Sequence, residues 1–123
     1  MIREDVLQRI RKIPIVETLG FEFTEMDAGV CKAIVKHDKK YDGIYESFHG
    51  GLLMTVADSI SAFAVLTLAG ADATITTTDM NIRFLAPCRS DVTAVAAVIK
   101  HGKTLVPVAV DLFDENGVKV AIA

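Results

Sequence analysis

The sequence predicts an α+β domain in which a mostly antiparallel sheet wraps one long buried helix. Three observations predict it. The run Leu52–Ala69 is apolar nearly all the way round, so a helix there has to be surrounded by protein. After it come segments rich in strand formers: Thr74–Leu85, Val92–Lys100, Thr104–Phe113 and Val118 onward. Two of their connections, His101-Gly102-Lys103 and Asp114-Glu115-Asn116-Gly117, are short glycine-containing turns that pair the flanking strands as antiparallel hairpins.

The remaining elements follow in chain order. Residues 3–12 place Val6, Ile10 and Ile13 at helical spacing with arginine and lysine between them. This predicts a short amphipathic helix within residues 1–14 that ends before Pro14. Phe21–Met26 and Val30–Val35 read as two strands around the Asp27-Ala28-Gly29 turn. From Lys36 to Phe48 the chain is polar, with Asp42-Gly43 inside it, and is expected to be a loop. Gly70 closes the long helix. Ala86-Pro87-Cys88-Arg89 is a connection, and Pro107 places its strand at a sheet edge or a bulge. With 123 residues the chain can build one core, so residues 1–123 are taken as one domain. Five or six short strands cannot enclose the helix, so a second copy of the chain is expected to cover the rest.

Composition narrows the function. A formal charge of −3 and a pI near 5.5 argue against a general nucleic-acid binder, while leaving room for a local basic patch that takes a phosphorylated ligand. Cys31 and Cys88 match no metal or redox spacing and read as small buried residues, so no metal site is expected. The charged start, Met1-Ile2-Arg3-Glu4-Asp5, lacks the apolar core of a signal peptide. Gly50–Gly70 approaches the length of a membrane span, but Asp58 would sit near the bilayer centre at a cost of about 2.5–3.5 kcal/mol. Thr55, Ser59, Ser61 and Thr67 dilute the run, and no basic residues flank it. The expectation is a core helix of a cytoplasmic protein.

The chemistry concentrates in His49-Gly50-Gly51 and in Asp58. Asp58 stands alone in the apolar run, and a carboxylate there is costly unless paired, hydrogen-bonded or used. The two glycines let backbone approach a ligand, and a helix beginning there offers free N–H groups. One end of the segment can therefore polarise a carbonyl while its middle holds a base, which points to acyl transfer or hydrolysis. Gly51 and Asp58 fall on nearly one face, roughly 10 Å apart along the axis. A base has to act within about 3–3.5 Å of the reacting atom or through one water, so Asp58 cannot serve a carbonyl held at its own helix start. A second, antiparallel copy would bring Asp58 of one subunit beside Gly50 of the other.

His49-Gly50-Gly51 with Asp58 on the following helix resembles the PaaI-type hotdog-fold acyl-CoA thioesterases. So do Thr77-Thr78-Asp79-Met80-Asn81-Ile82-Arg83-Phe84-Leu85-Ala86-Pro87 and the Gly102-Lys103-Thr104 hairpin. The resemblance covers residues 15–123. It implies a curved antiparallel sheet around one central helix, a dimer sharing two active sites, often a dimer of dimers, and hydrolysis of a small or medium acyl-CoA without metal or cofactor. By that resemblance Asp58 is the catalytic carboxylate and Gly50 the N–H donor to the thioester carbonyl. His49 is a carbonyl-side or positioning residue, and Thr77 assists from the next strand. There is a departure. Six residues before the histidine, similar enzymes commonly carry Asn or Gln where this chain has Gly43, and Glu46 replaces a usual glycine. Asp42 and Glu46 are the candidates to substitute.

Plainer roles stand beside these. Asp58 can be an interface residue satisfied by hydroxyls, Gly50 and Gly51 can serve helix entry alone, and His49 can be a cap. By alternation Thr77 shares a strand face with Asp79 and Asn81, opposite Met80, Ile82 and Phe84. Arg89, Lys100, His101 and Lys103, with Gly102 shaping their turn, are candidates for the phosphates of coenzyme A or are solvated turn residues. Gly51, Met54, Phe63 and Met80 are candidates to line the acyl pocket. Two rival functions remain: an acyl-CoA-binding module without turnover, and a hotdog hydratase or dehydratase. No proline lies between residues 15 and 86, which disfavours the second.

Overall fold

The computed structural model describes residues 1–123. Two short helices, α1 (Glu4–Ile10) and α2 (Pro14–Leu19), precede the hairpin of β1 (Glu22–Asp27) and β2 (Val30–Val35). A 3₁₀ turn at Lys39–Tyr41 interrupts the following loop. The long helix α3 (Gly50–Ala69) comes next, then β3 (Arg83–Phe84), β4 (Val92–Val98), β5 (Val108–Phe113) and β6 (Lys119–Ile122). The six strands form one sheet in the order β1-β2-β4-β5-β6-β3, with every neighbouring pair antiparallel.

The sheet curls around α3 and gives it an inner face of small and branched residues. Cys31, Ala33 and Val35 alternate inward from β2, Val92, Ala94 and Ala96 from β4, and Val110 and Leu112 from β5; all are buried. Ala33 pairs with Ala94 and Cys31 with Ala96, so the middle of the sheet carries almost no side-chain bulk. Alanine is a poor strand former, yet here it lets α3 lie close against β4, where the helix makes its most extensive sheet contact. The helix answers with Leu53, Val56, Ala57, Ile60, Phe63 and Ala64. At its far end Phe63 meets the edges of the stacked Phe21 and Phe23 rings. Although α3 is long and apolar enough to cross a membrane, half of that window is buried inside the fold, as expected of a core helix.

Four expectations need correction. Pro14 does not merely follow the first helix. It is the first residue of α2, where its fixed φ and missing N–H suit a helix start. Thr74–Leu85 is not one paired strand, because only Arg83–Phe84 finds ladder partners, in β6. Residues 74–79 are exposed and join no ladder, lying ahead of the edge strand β3. The β4–β5 hairpin closes on a wider loop than His101-Gly102-Lys103. Its outermost ladder bond runs from Ile99 N–H to the Pro107 carbonyl at 2.9 Å, and Pro107 has no N–H to return. Pro107 thus marks the start of a central strand rather than an edge. Gly70 does end α3, its N–H bonded to Leu66 O at 2.9 Å.

Candidate active site

The stripe of α3 that the sheet leaves uncovered carries the candidate chemistry. Gly51, Met54, Thr55 and Asp58 fall along it, Gly51 and Met54 exposed and the other two half-buried. Asp58 is the one charged residue of the helix and forms no ion pair. Its Oδ1 accepts a hydrogen bond from Thr77 Oγ1 at 2.6 Å. The extended segment before β3 therefore crosses the helix so as to set a hydroxyl on the carboxylate, leaving Oδ2 free.

At the helix start, His49 is the N-cap. Its Nδ1 accepts from Gly51 N–H at 2.9 Å, and its own N–H donates to the Tyr41 carbonyl at 2.8 Å. With Nδ1 accepting, the neutral ring carries its proton on Nε2. Capping Gly51 leaves the N–H of Gly50, first residue of a 20-residue helix, without a protein acceptor. Gly50 lines an open cleft of about 370 Å³ together with Ser47, Phe48, Leu53, Phe84 and Leu85. Its glycine identity has a local reason: a Cβ there would stand 3.1 Å from Cζ of Phe84. A donor with its partner missing and positive helix-end potential behind it is suited to an oxyanion.

Comparison with known proteins places this arrangement. The profile of the thioesterase superfamily matches residues 45–121, more than half of the chain, running from the loop before α3 into β6.

The chain belongs to the thioesterase superfamily.

A relative in Homo sapiens, acyl-coenzyme A thioesterase 13, is 33% identical over 113 residues, covering 88% of this chain and 79% of its own. Among solved structures, the E. coli PaaI protein of the phenylacetic acid degradation operon superposes with a TM-score of 0.87 at 21% identity, covering 99% of this chain and 91% of its own. A thioesterase family protein from Silicibacter pomeroyi gives 0.90 at 23% identity, covering 97% and 90%. The fold is the PaaI-type hotdog, and membership sets the reaction class as thioester hydrolysis.

Within this thioesterase fold the other candidate residues divide into two groups. Arg89 is exposed and follows Cys88, a lining residue of the Gly50 cleft whose carbonyl accepts from Phe48 N–H at 2.7 Å. His101, Gly102 and Lys103 lie elsewhere. They extend from Val98, which sits with Gly29 against Leu68 in the last turn of α3. That is about 27 Å from Gly50 along the helix, and one chain does not bring the two together. Asp42 does not supply the missing amide beside Gly43, because its Oδ1 is engaged with His37 Nε2 at 2.6 Å. Glu46 is exposed at a loop tip with φ of 56°. Phe84 was legible in the sequence only as one of an alternating apolar set; nothing there marked it as the wall against Gly50. Burial pushes the Cys31 thiol up to about 12 and also raises that of Cys88, so neither is poised as a nucleophile.

Proposed function

We propose that this protein hydrolyses a small or medium acyl-coenzyme A thioester to the free acid and coenzyme A, using two copies of the chain for each site. The observation that carries the reading is the pairing of an unpartnered Gly50 N–H with a hydroxyl-supported Asp58 on one helix. Their eight-residue spacing puts them about 12 Å apart along the axis, too far for one carbonyl. Two antiparallel α3 helices would set Asp58 of one subunit opposite Gly50 of the partner subunit. The same packing would cover the bare helix stripe and bring the His101–Lys103 end of one chain toward the Gly50 cleft of the other. The exposed, unpaired residues 74–79 support such a partner, since backbone with free N–H and C=O groups leading into an edge strand is a template for pairing with another chain. The similarity to acyl-coenzyme A thioesterase 13 supports the substrate class.

The chemistry needs little else. The thioester carbonyl oxygen accepts from Gly50 N–H, which stabilises the oxyanion; losing such a donor costs roughly 3 kcal/mol in known hydrolases. Asp58 takes a proton from water as its oxygen attacks the carbonyl carbon, or attacks directly to form an anhydride that water then opens. The carbon–sulfur bond breaks with its electron pair leaving on the coenzyme A sulfur, a stable thiolate that needs no acid. Thr77 holds Asp58 Oδ1, aiming Oδ2 at the water. In this scheme Arg89, with His101 and Lys103 from the partner subunit, would meet the phosphates. No metal or organic cofactor enters this scheme, and a cytoplasmic setting belongs to it.

Thiol release from a panel of acyl-CoA thioesters, read alongside sedimentation of the purified protein, tests the proposal. Turnover by an oligomer, lost in Asp58→Asn, is expected. Turnover by a monomer, or an unaffected Asp58→Asn, would sink it. Gly43 favours one second reading, a binding module: with Asp42 engaged elsewhere and Glu46 in solvent, no side chain replaces the amide. Acyl-CoA binding without thiol release would select that reading.

A further inference from the structure

The loop that delivers His49 to the helix start is held by a pair of residues the reaction itself does not use. His37 Nε2 and Asp42 Oδ1 are 2.6 Å apart, with their side chains only 24% and 13% exposed. The His37 N–H is tied to Asp91 Oδ1 at 2.7 Å, fixing the loop to the start of β4. The His37 and Phe48 rings meet in a T-shaped contact, and Tyr41 stacks on the Phe48 ring, each at 5.8 Å. Asp42 forms an antiparallel bridge with Phe48, and the Tyr41 carbonyl receives the N–H of His49. Phe48 is itself a wall of the Gly50 cleft. A chain of contacts thus runs from the His37–Asp42 clasp through Phe48 and Tyr41 to the cap that decides where Gly50 N–H points.

We infer that His37 and Asp42 are positioning residues: their clasp sets the geometry of the Gly50 donor and so the transition-state stabilisation, without touching substrate. The inference rests on the reading of Gly50 as the thioester carbonyl's donor. Side chains at the loop tip add little, Ile44 and Tyr45 being 87% and 78% exposed, and the tip itself is closed through backbone, by Gly43 N–H donating to the Ser47 carbonyl at 2.8 Å. A hydrogen bond to a carboxylate is about twice as strong as a neutral one, and this partly buried one ties residue 37 to residue 42 at the base of the loop.

Asp42→Ala, Asp42→Asn and His37→Gln, assayed with hexanoyl-CoA and by NMR amide exchange, test it. Asp42→Ala is expected to lower kcat by about ten- to a hundredfold with KM within about twofold, the signature of a misplaced donor. It should speed exchange at His49 and Gly51 while leaving Ile60 and Leu66 unchanged. Asp42→Asn, whose amide oxygen still accepts, should recover most of the rate. If Asp42→Ala does not fold, His37→Gln carries the same comparison. Wild-type exchange at Gly51 in folded Asp42→Ala overturns the inference, as does an Asp42→Asn protein as slow as Asp42→Ala. Absent turnover in the wild-type protein, with exchange at His49 still accelerated in Asp42→Ala, would remove the proposed activity and support the clasp.

Discussion

Thr77 Oγ1 donates to Asp58 Oδ1 at 2.6 Å, joining a residue of the unpaired edge segment to the middle of the central helix nineteen positions earlier. The bond takes one carboxylate oxygen and leaves the other without a protein partner, the oxygen that acts as base in the proposed mechanism. Asp58→Asn should therefore lower kcat by about a hundredfold or more, the scale of a lost general base. Thr77→Val should cost about tenfold in kcat with a smaller change in KM, because it releases the carboxylate without removing it. Steady-state kinetics on purified variants check both. Equal losses in kcat for the two would show Thr77 to be more than a support.

Gly50 and Phe84 make a second coupled pair. Alanine at position 50 keeps the N–H but puts a Cβ 3.1 Å from the Phe84 ring, which must give way by a few tenths of an ångström. Gly50→Ala should lose about 1 kcal/mol of stability and more than tenfold in kcat as the cleft wall moves. Phe84→Leu in the same chain should restore much of both. Denaturant melts and rates on the single and double variants measure the coupling directly.

The buried thiols predict a pH dependence with a definite sign. Cys31 is raised from 9.0 to about 12 by burial, so above pH 9 the unfolded chain binds fewer protons than the folded one. Its contribution is fully present below pH 9.0 and is lost as pH climbs toward about 12. Thermal unfolding followed from pH 8 to 11 should show a falling Tm that is flatter in Cys31→Ala. Iodoacetamide at pH 8 should label neither Cys31 nor Cys88 until the chain is unfolded; fast labelling of the native protein would contradict their burial.

The departures from the thioesterase pattern at Gly43 and Glu46 have different physical consequences. Glu46 sits at φ 56°, a conformation that costs a residue with a Cβ about 1–2 kcal/mol. Glu46→Gly should raise stability by about 1 kcal/mol or less, the gain being offset by the entropy of an unfolded glycine. A Cβ on Gly43 would meet His49 Cδ2 at 3.6 Å, an ordinary contact, so Gly43→Asn should fold normally and put an amide beside the helix cap. Its expected effect is a higher kcat on acyl-CoA, read in the same thiol-release assay.

Read from residue order alone, the central helix, its flanking strands and the position of the lone carboxylate were all legible. Each rests on a local signal: an apolar run from Leu52 to Ala69, alternation in Val30–Val35 and Val92–Val98, and a charge that apolar surroundings make costly. The start of α2 at Pro14 was missed because a proline after an apolar helix reads equally as a stop or as a first turn. Extended residues 74–82 carry strand-like composition, but pairing depends on what lies alongside, and the β6 partner meets only Arg83 and Phe84. The candidate site divides in the same way. The residue types at positions 49, 50 and 58 were chosen by the chain itself, through turn chemistry and desolvation. Which groups they meet was decided by tertiary structure: Thr77 on Asp58, Phe84 against Gly50, His37 on Asp42. Those contacts join residues far apart along the chain or on facing loop ends, and no local periodicity encodes a distance across a fold.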